Sequence, residues 1–252
     1  MSTSFTLIAL SILACLPGAA PGAEAFQDGP PPELVKQVAA REAASEQARG
    51  NYMYRQEVRV EEYGGRSGSA SGFYKELREV IFTPEGKRLE QMVGRPEAHL
   101  SRLILTDEDF EDLRNIQPLL LTPEMLPRYT VKFRGEETVE GKDCWVLQID
   151  PRQLLQGMRL FEGMAWVEKT SLQIVRTEGQ AVPPVYHGGK ENLFPRFVTV
   201  REKVDGFYFP ALTYADDVLP FKTGPLRMKL RVKYSGYQKF GAESKITFEP
   251  RQ

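Results

Sequence analysis

The sequence predicts a mainly β fold of the α+β kind, in which one connected antiparallel sheet of about ten strands carries two helical pieces. Three observations lead there. From Leu226 to Phe240 the chain alternates without interruption, with Leu226, Met228, Leu230, Val232 and Tyr234 at even positions and Arg227, Lys229, Arg231 and Lys233 at odd ones. Successive strand side chains point to opposite faces, so this run specifies one apolar and one basic face, whereas a helix would wrap the same apolar residues around its cylinder. At about 3.4 Å per residue the strand would extend roughly 50 Å, two to three times the usual length, and so is expected to bend. The second observation is that shorter runs of the same period, separated by Gly, Pro and Asp turn signals, fill most of the remaining chain. The third is that only Glu33–Ala48 and the stretch opening at Thr106 carry a helical pattern.

Taken in order, Phe5–Leu16 is an apolar run too short to span a bilayer but suited to the core of a secretory signal, with Ala23, Glu24 and Ala25 offering cleavage before Phe26. The first ten residues lack Lys and Arg, unlike most such signals. Ile12, Leu13, Ala14 and Cys15 loosely resemble a bacterial lipobox, which makes a lipid anchor at Cys15 the other reading of this end. The expected organisation is a signal over residues 1–25 and a single domain over 26–252, exported and either released or anchored. Removing residues 1–25 takes away Glu24 and no cation, leaving 33 Lys and Arg against 33 Asp and Glu, so bulk attraction to nucleic acid is not expected. Only Cys144 then remains; no internal disulfide can form, and beside Trp145 it reads as a small buried hydrophobe.

The helix over Glu33–Ala48 offers a stripe of Leu34, Val35 and Val38, with Glu42, Glu46 and Arg49 placed outside. Tyr52, Tyr54, Val58 and Val60 alternate with charged residues as a half-exposed strand, in which Gln56 is the one polar inward residue. Glycines and serines over 64–72 form a hairpin loop into Phe73–Thr83, and Pro84–Gly86 turns that strand into Arg88–Val93. Thr106 caps a helix with acids in its first turn, which favour the positive helix end, and Phe110, Leu113 and Ile116 share a side. Leu119–Leu126 continues as a short apolar segment that Pro127 ends, and the whole insertion reads as a cover over the sheet or as a core helix. Strands resume at Tyr129–Glu137, Asp143–Asp150, Gly157–Lys169 and Leu172–Glu178. After a long loop over Gln180–Asn192, a meander runs through Phe197–Val204, Phe207–Leu219, the long strand, and Lys245–Glu249.

The sequence spells no catalytic constellation. His99, His187 and one surviving Cys cannot make the usual zinc sets, so neither metal nor other cofactor is expected. Ser67, Ser69 and Ser71 sit among glycines without a Gly-x-Ser-x-Gly elbow, and Gly135–Lys142 misses the phosphate-loop spacing. Asp216 and Asp217 interrupt a strand pattern without a His or Lys partner at a meaningful spacing, and read as a solvated bulge. The odd face of the long strand, Arg227, Lys229, Arg231 and Lys233, is either a wet face balanced by acids such as Glu57 and Glu61, or a contact for anionic lipid head groups or an acidic partner.

Two stretches carry a resemblance. GKDCWVLQIDPR over 141–152 and GMAWVEKTSLQIVRTEG over 163–179 are similar to a strand ending in a proline turn and to its following hairpin in the LolA/LolB-like lipoprotein-carrier superfamily. In arrangement the resemblance spans roughly 31–250. It implies a strongly curved antiparallel sheet or incomplete β-barrel, closed on its concave side by helices around a cavity that takes acyl chains. RseB-like regulators, which bind another protein or lipopolysaccharide, belong to the same superfamily. The leading expectation is a non-enzymatic carrier for a lipid or acylated lipoprotein outside the cytoplasm. The alternatives are an envelope-sensing domain with a protein partner, and a secreted hydrolase. The expected lining, drawn from the apolar alternations, is Tyr52, Tyr54, Trp145, Leu147, Trp166, Leu230, Val232 and Tyr234, beneath Phe110, Leu113, Leu120 and Leu121.

Overall fold

The chain is a computed structural model that describes residues 30–64, 68–83, 86–107, 109–110, 121–154, 159–187 and 190–240, with the backbone alone for 185–187 and 190–192. Compact packing divides Met1–Pro31 from Pro32–Gln252, and every described helix and strand belongs to the second unit. The signal with its cleavage before Phe26, Cys15, the strand Lys245–Glu249, and Leu113 and Leu120 lie outside the described residues.

One helix, α1 (Leu34–Arg49), precedes strands β1 (Tyr52–Tyr63), β2 (Gly72–Phe82), β3 (Arg88–Met92), β4 (Glu97–Ala98), β5 (Tyr129–Val139), β6 (Lys142–Pro151), β7 (Leu160–Glu168) and β8 (Ile174–Val182). The last third holds β9 (Val185–His187), β10 (Lys190–Asn192), β11 (Phe197–Val204), β12 (Phe207–Leu219) and β13 (Leu226–Lys239). Among the described residues the main sheet has 11 strands, ordered β3-β2-β1-β13-β12-β11-β8-β7-β6-β5, with β4 on β2 beside that path. Every pairing is antiparallel, and the sheet is curved but not closed into a barrel. The stretch read as a loop over Gln180–Asn192 instead holds the end of β8 and a separate hairpin, β9 with β10. Its three-residue strands are too short to show a period.

β13 pairs with β1 on one side and β12 on the other, which places the longest alternation in the middle of the sheet. Leu226, Met228, Leu230, Val232 and Tyr234 are buried, and the residues between them are not. Beyond Tyr234 the parity changes. Between Met53 and Arg55 the register slips, so that Tyr54 opposes two residues, Gly236 and Tyr237, and Gly236 takes the left-handed φ of 66° that glycine tolerates. The bulge turns Tyr237 inward onto Tyr54 and Phe209, with ring centroids 5.1 and 5.2 Å apart. The uninterrupted alternation to Phe240 had placed Tyr237 on the wet face.

The inner face carries one continuous core, to which β1, β2, β6, β7, β8, β11, β12 and β13 all contribute, with Leu34 and Val38 of α1 laid on it. The buried stripe of α1 is Leu34, Val38, Glu42, Ser45 and Arg49, one face at helical spacing. Glu42 and Arg49 were expected outside. Glu42 is buried because Arg201 of β11 meets its carboxylate in a two-pronged ion pair at 2.7 and 3.0 Å. Ser45 adds a hydrogen bond to Gln173, whose side chain also reaches Tyr208 N and Gly206 O, so polar contacts tie the helix to β8, β11 and β12.

Candidate functional site

The inner face has two ends, and they are filled differently. At one, β1 and β13 deliver Tyr52 and Tyr237 onto Phe209 of β12 and Tyr54 onto Tyr234 and Tyr237, and the rings pack at 5.1 to 6.2 Å. The Tyr52 hydroxyl donates to Asp205 at 2.7 Å, and that bond, with burial and the carboxylate charge, pushes its pKa up to about 12. Burial first, then the nearby Tyr54, pushes Tyr234 up to about 12 as well. Between this end of the sheet and α1 only about 10 Å³ is left among Glu42, Arg49, Arg201 and Phe209, no more than one water needs.

At the other end a cavity of about 310 Å³ opens. Its floor is sheet: Val60 of β1, Leu219 of β12, and Leu226, Met228 and Leu230 of β13. One wall is the segment from Arg102 through Leu103, Ile104, Leu105 and Thr106 to Asp109. Opposite it stand Leu193, Phe194 and Pro195, before β11, and Phe221 and Thr223, in the turn between β12 and β13. The apolar lining is interrupted by Arg102, Thr106, Asp109 and Thr223.

A single carboxylate holds the first wall in place. Glu62, at the end of β1, is fully buried and accepts hydrogen bonds from Ser101 N (2.6 Å), Ser101 Oγ (2.5 Å), Arg102 N (3.0 Å) and Leu103 N (2.7 Å). Burial alone would raise its pKa; the Ser101 hydroxyl and the three backbone donors outweigh that and hold the carboxyl below the usual range. The approach leaves no room beside it. A methyl group on Gly72, the first residue of β2, would lie 2.7 Å from Glu62 Oε1 and 2.4 Å from His99 O. Further along, Thr106 caps as expected, accepting from Asp109 N at 3.3 Å, and Asp109 adds the reciprocal bond, accepting from Thr106 N at 2.7 Å.

Of the lining expected from the sequence, Leu230 borders this cavity. Tyr54, Val232 and Tyr234 share its face but sit in the closed part, where Tyr52 is buried against Phe209, and Leu121, Trp145 and Leu147 are buried in the same core. Phe110 packs against that core and faces the ring of Tyr74 at 5.3 Å. Trp166 does not join them. In register it opposes Val146, while Ala165 opposes Leu147, so its indole lies on the outer face in a second cluster with Cys144, Val146, Val175 and Tyr208. There Trp166 Nε1 donates to Glu137 at 2.7 Å and the Arg176 guanidinium covers the ring. Both faces of β6 and β7 are apolar, so character alone could not assign the side.

The basic face of β13 is interlaced with acids. Lys233 stands opposite Glu57 and Lys229 opposite Glu61 in the ladder. Arg227 and Lys229 reach Asp216 at 2.8 and 3.4 Å, whereas Arg231 has Arg59 and Tyr214 as its cross-strand neighbours. The pairing corrects the reading of Asp216 and Asp217 as a bulge: β12 runs through them without a register shift. Among the described residues no three His, Cys, Asp or Glu side chains are grouped to hold a metal ion.

Glu62 and, apart from Leu230, the residues around the cavity were missed as site residues. Parity held a signal, because Glu62 continues the inward series of Tyr52, Tyr54, Gln56, Val58 and Val60. Gln56, the flagged polar member of that series, accepts from Arg88 at 2.8 Å.

No family model matches the sequence, and no curated protein matches it. Solved structures with a similar arrangement include a DUF1329 family protein from Desulfovibrio piger, 15% identical, with a TM-score of 0.39 and 81% of this chain aligned to 95% of that one. A LolA superfamily protein from Nitrosomonas europaea is 12% identical, with a TM-score of 0.34 and 80% of this chain aligned to 94% of that one. MucB in the Pseudomonas aeruginosa MucA/MucB complex is 13% identical, with a TM-score of 0.25 and 83% of this chain aligned to 100% of that one. The neighbours thus include both a LolA-like protein and a protein solved with a protein partner.

Proposed function

We propose that the protein is a non-enzymatic binding protein for an apolar chain, a lipid or the acyl part of a lipoprotein, working outside the cytoplasm after loss of its first 25 residues. The observation that carries the reading is the cavity of about 310 Å³ at one end of the inner face. Ligand sites are concave, mostly apolar, usually pre-formed, and begin at about 300 Å³. An ordinary β core of this size would have closed such a space, since interiors pack with few voids larger than a water molecule.

The test is binding of a fluorescent fatty acyl probe to the full chain and to Met228→Trp, in which an indole occupies the cavity. Saturable binding by the parent protein, and its loss in the variant at an unchanged Tm, is expected. A parent protein that binds no probe and instead co-purifies from its own host with a stoichiometric protein would replace the carrier reading with that of a partner-binding regulator. Intact mass of the exported protein tests the address: a chain beginning at Phe26 is expected, and a diacylated chain beginning at Cys15 would make it membrane-anchored.

A further inference from the structure

We infer that the occupant is one acyl chain ending in an acidic head, a fatty carboxylate, seated with its head against Arg102. This rests on the apolar-chain reading above and narrows it. Volume limits the chain number. Counted by the positions of its centre a water molecule needs about 10–15 Å³, so about 310 Å³ holds roughly twenty to thirty waters, or about as many chain carbons. That volume holds one chain of ordinary length with room to spare and falls short of the two full-length chains of a phospholipid or the three of a lipoprotein anchor.

Charge at the rim sets the head. Among the described residues two ionisable side chains border the cavity, Arg102 and Asp109. The Asp109 carboxylate is engaged, accepting from Thr106 N at 2.7 Å and Thr106 Oγ1 at 2.9 Å in the cap of its own helical turn. Arg102 is different. Its backbone N–H is fixed on Glu62, so the root of the side chain is immobile, while the guanidinium is exposed and forms no ion pair or hydrogen bond among the described residues. A cation anchored at the root and unpaired at the tip, beside an apolar cavity, matches an amphiphile with an apolar tail and a carboxylate that takes two parallel hydrogen bonds. The buried Glu62 does not oppose it, because four donors already surround that charge.

Isothermal titration of the full chain with monomeric palmitate, its methyl ester and a two-chain phosphatidylglycerol tests this. Palmitate is expected to bind one per chain, about tenfold more tightly than the ester. Arg102→Gln should remove that advantage and leave ester binding unchanged, since the backbone bonds to Glu62 persist, and Arg102→Lys should restore most of it. Equal binding of palmitate and ester to the parent protein, or an equal loss of both in Arg102→Gln, would overturn the head contact. Tighter binding of phosphatidylglycerol would overturn the single chain. Binding of none of the three would instead sink the cavity reading itself.

Discussion

The two ends of the inner face are built from the same strands and read alike in the sequence, yet one is closed by aromatic rings and the other stays open. Val232 and Tyr234 of β13 lie in the closed half, and Leu226, Met228 and Leu230, the preceding inward positions of the same strand, floor the cavity. The strand does not make the difference; what crosses it does. Over the closed half lies α1, and beneath it Phe209 of β12 and Tyr237 of β13 bring rings wide enough to meet across the curve. Over the open half run loop segments whose backbone groups need partners of their own, and Glu62 holds one of them at a fixed height. Strand alternation therefore specifies which residues face inward, and the covering segments decide whether they are core or lining.

The comparison can be broken at its strongest point first. Replacing Phe209 by Ala in the closed half should cost about 3–5 kcal/mol in urea unfolding, because the neighbouring rings cannot collapse into the space. Met228→Ala, at the open end, should cost less than about 2 kcal/mol, since no close-packed contact surrounds that side chain on the cavity side. Equal penalties would show that both ends are ordinary core. Removing one partner of the buried ion pair, in Glu42→Ala, leaves Arg201 charged and buried, and a loss of about 3–5 kcal/mol is expected.

Glu62→Ala sharpens the contrast by freeing the wall. Several backbone donors lose their acceptor, so a loss of about 2–4 kcal/mol is expected, together with faster hydrogen exchange at Ser101, Arg102 and Leu103. The pH dependence has a definite sign. The folded carboxyl titrates below its unfolded value of about 4.3, so its contribution is complete above that pH and disappears as pH falls through the folded value. Glu62→Gln should flatten this part of the acid limb of a Tm-against-pH curve. The smallest effect belongs to the outer face: Lys229→Gln removes an exposed contact to Asp216 and should change stability by about 0.5 kcal/mol or less.

Apart from the short β4, β9 and β10, the strands, their order of appearance and the inward residues of β1 and, as far as Tyr234, of β13 were legible, because a half-exposed strand shows its period in the residues themselves. Three things were not. Trp166 was assigned by apolar character, where the register of β6 against β7 was needed. Tyr237 changed sides through a bulge whose only local sign is Gly236. Glu42 and Arg49 looked like solvent-facing residues of α1, and only the arrival of Arg201, 159 positions further on, offsets the burial of Glu42. The cavity was illegible for the same reason, since its walls come from residues 102–109, 193–195 and 221–223, which no local pattern brings together.

The pairing of β1 with β13 also orders events in time. Val58 and Val232 are neighbours in the ladder although nearly the whole domain separates them in the chain, and contacts so distant form late and slowly. The cavity floor combines Val60 with Leu226, Met228 and Leu230, so it cannot exist until the last described strand has joined the first. A nascent chain stopped before Leu226 lacks this floor, so on the apolar-chain reading proposed above loading follows synthesis rather than accompanying it.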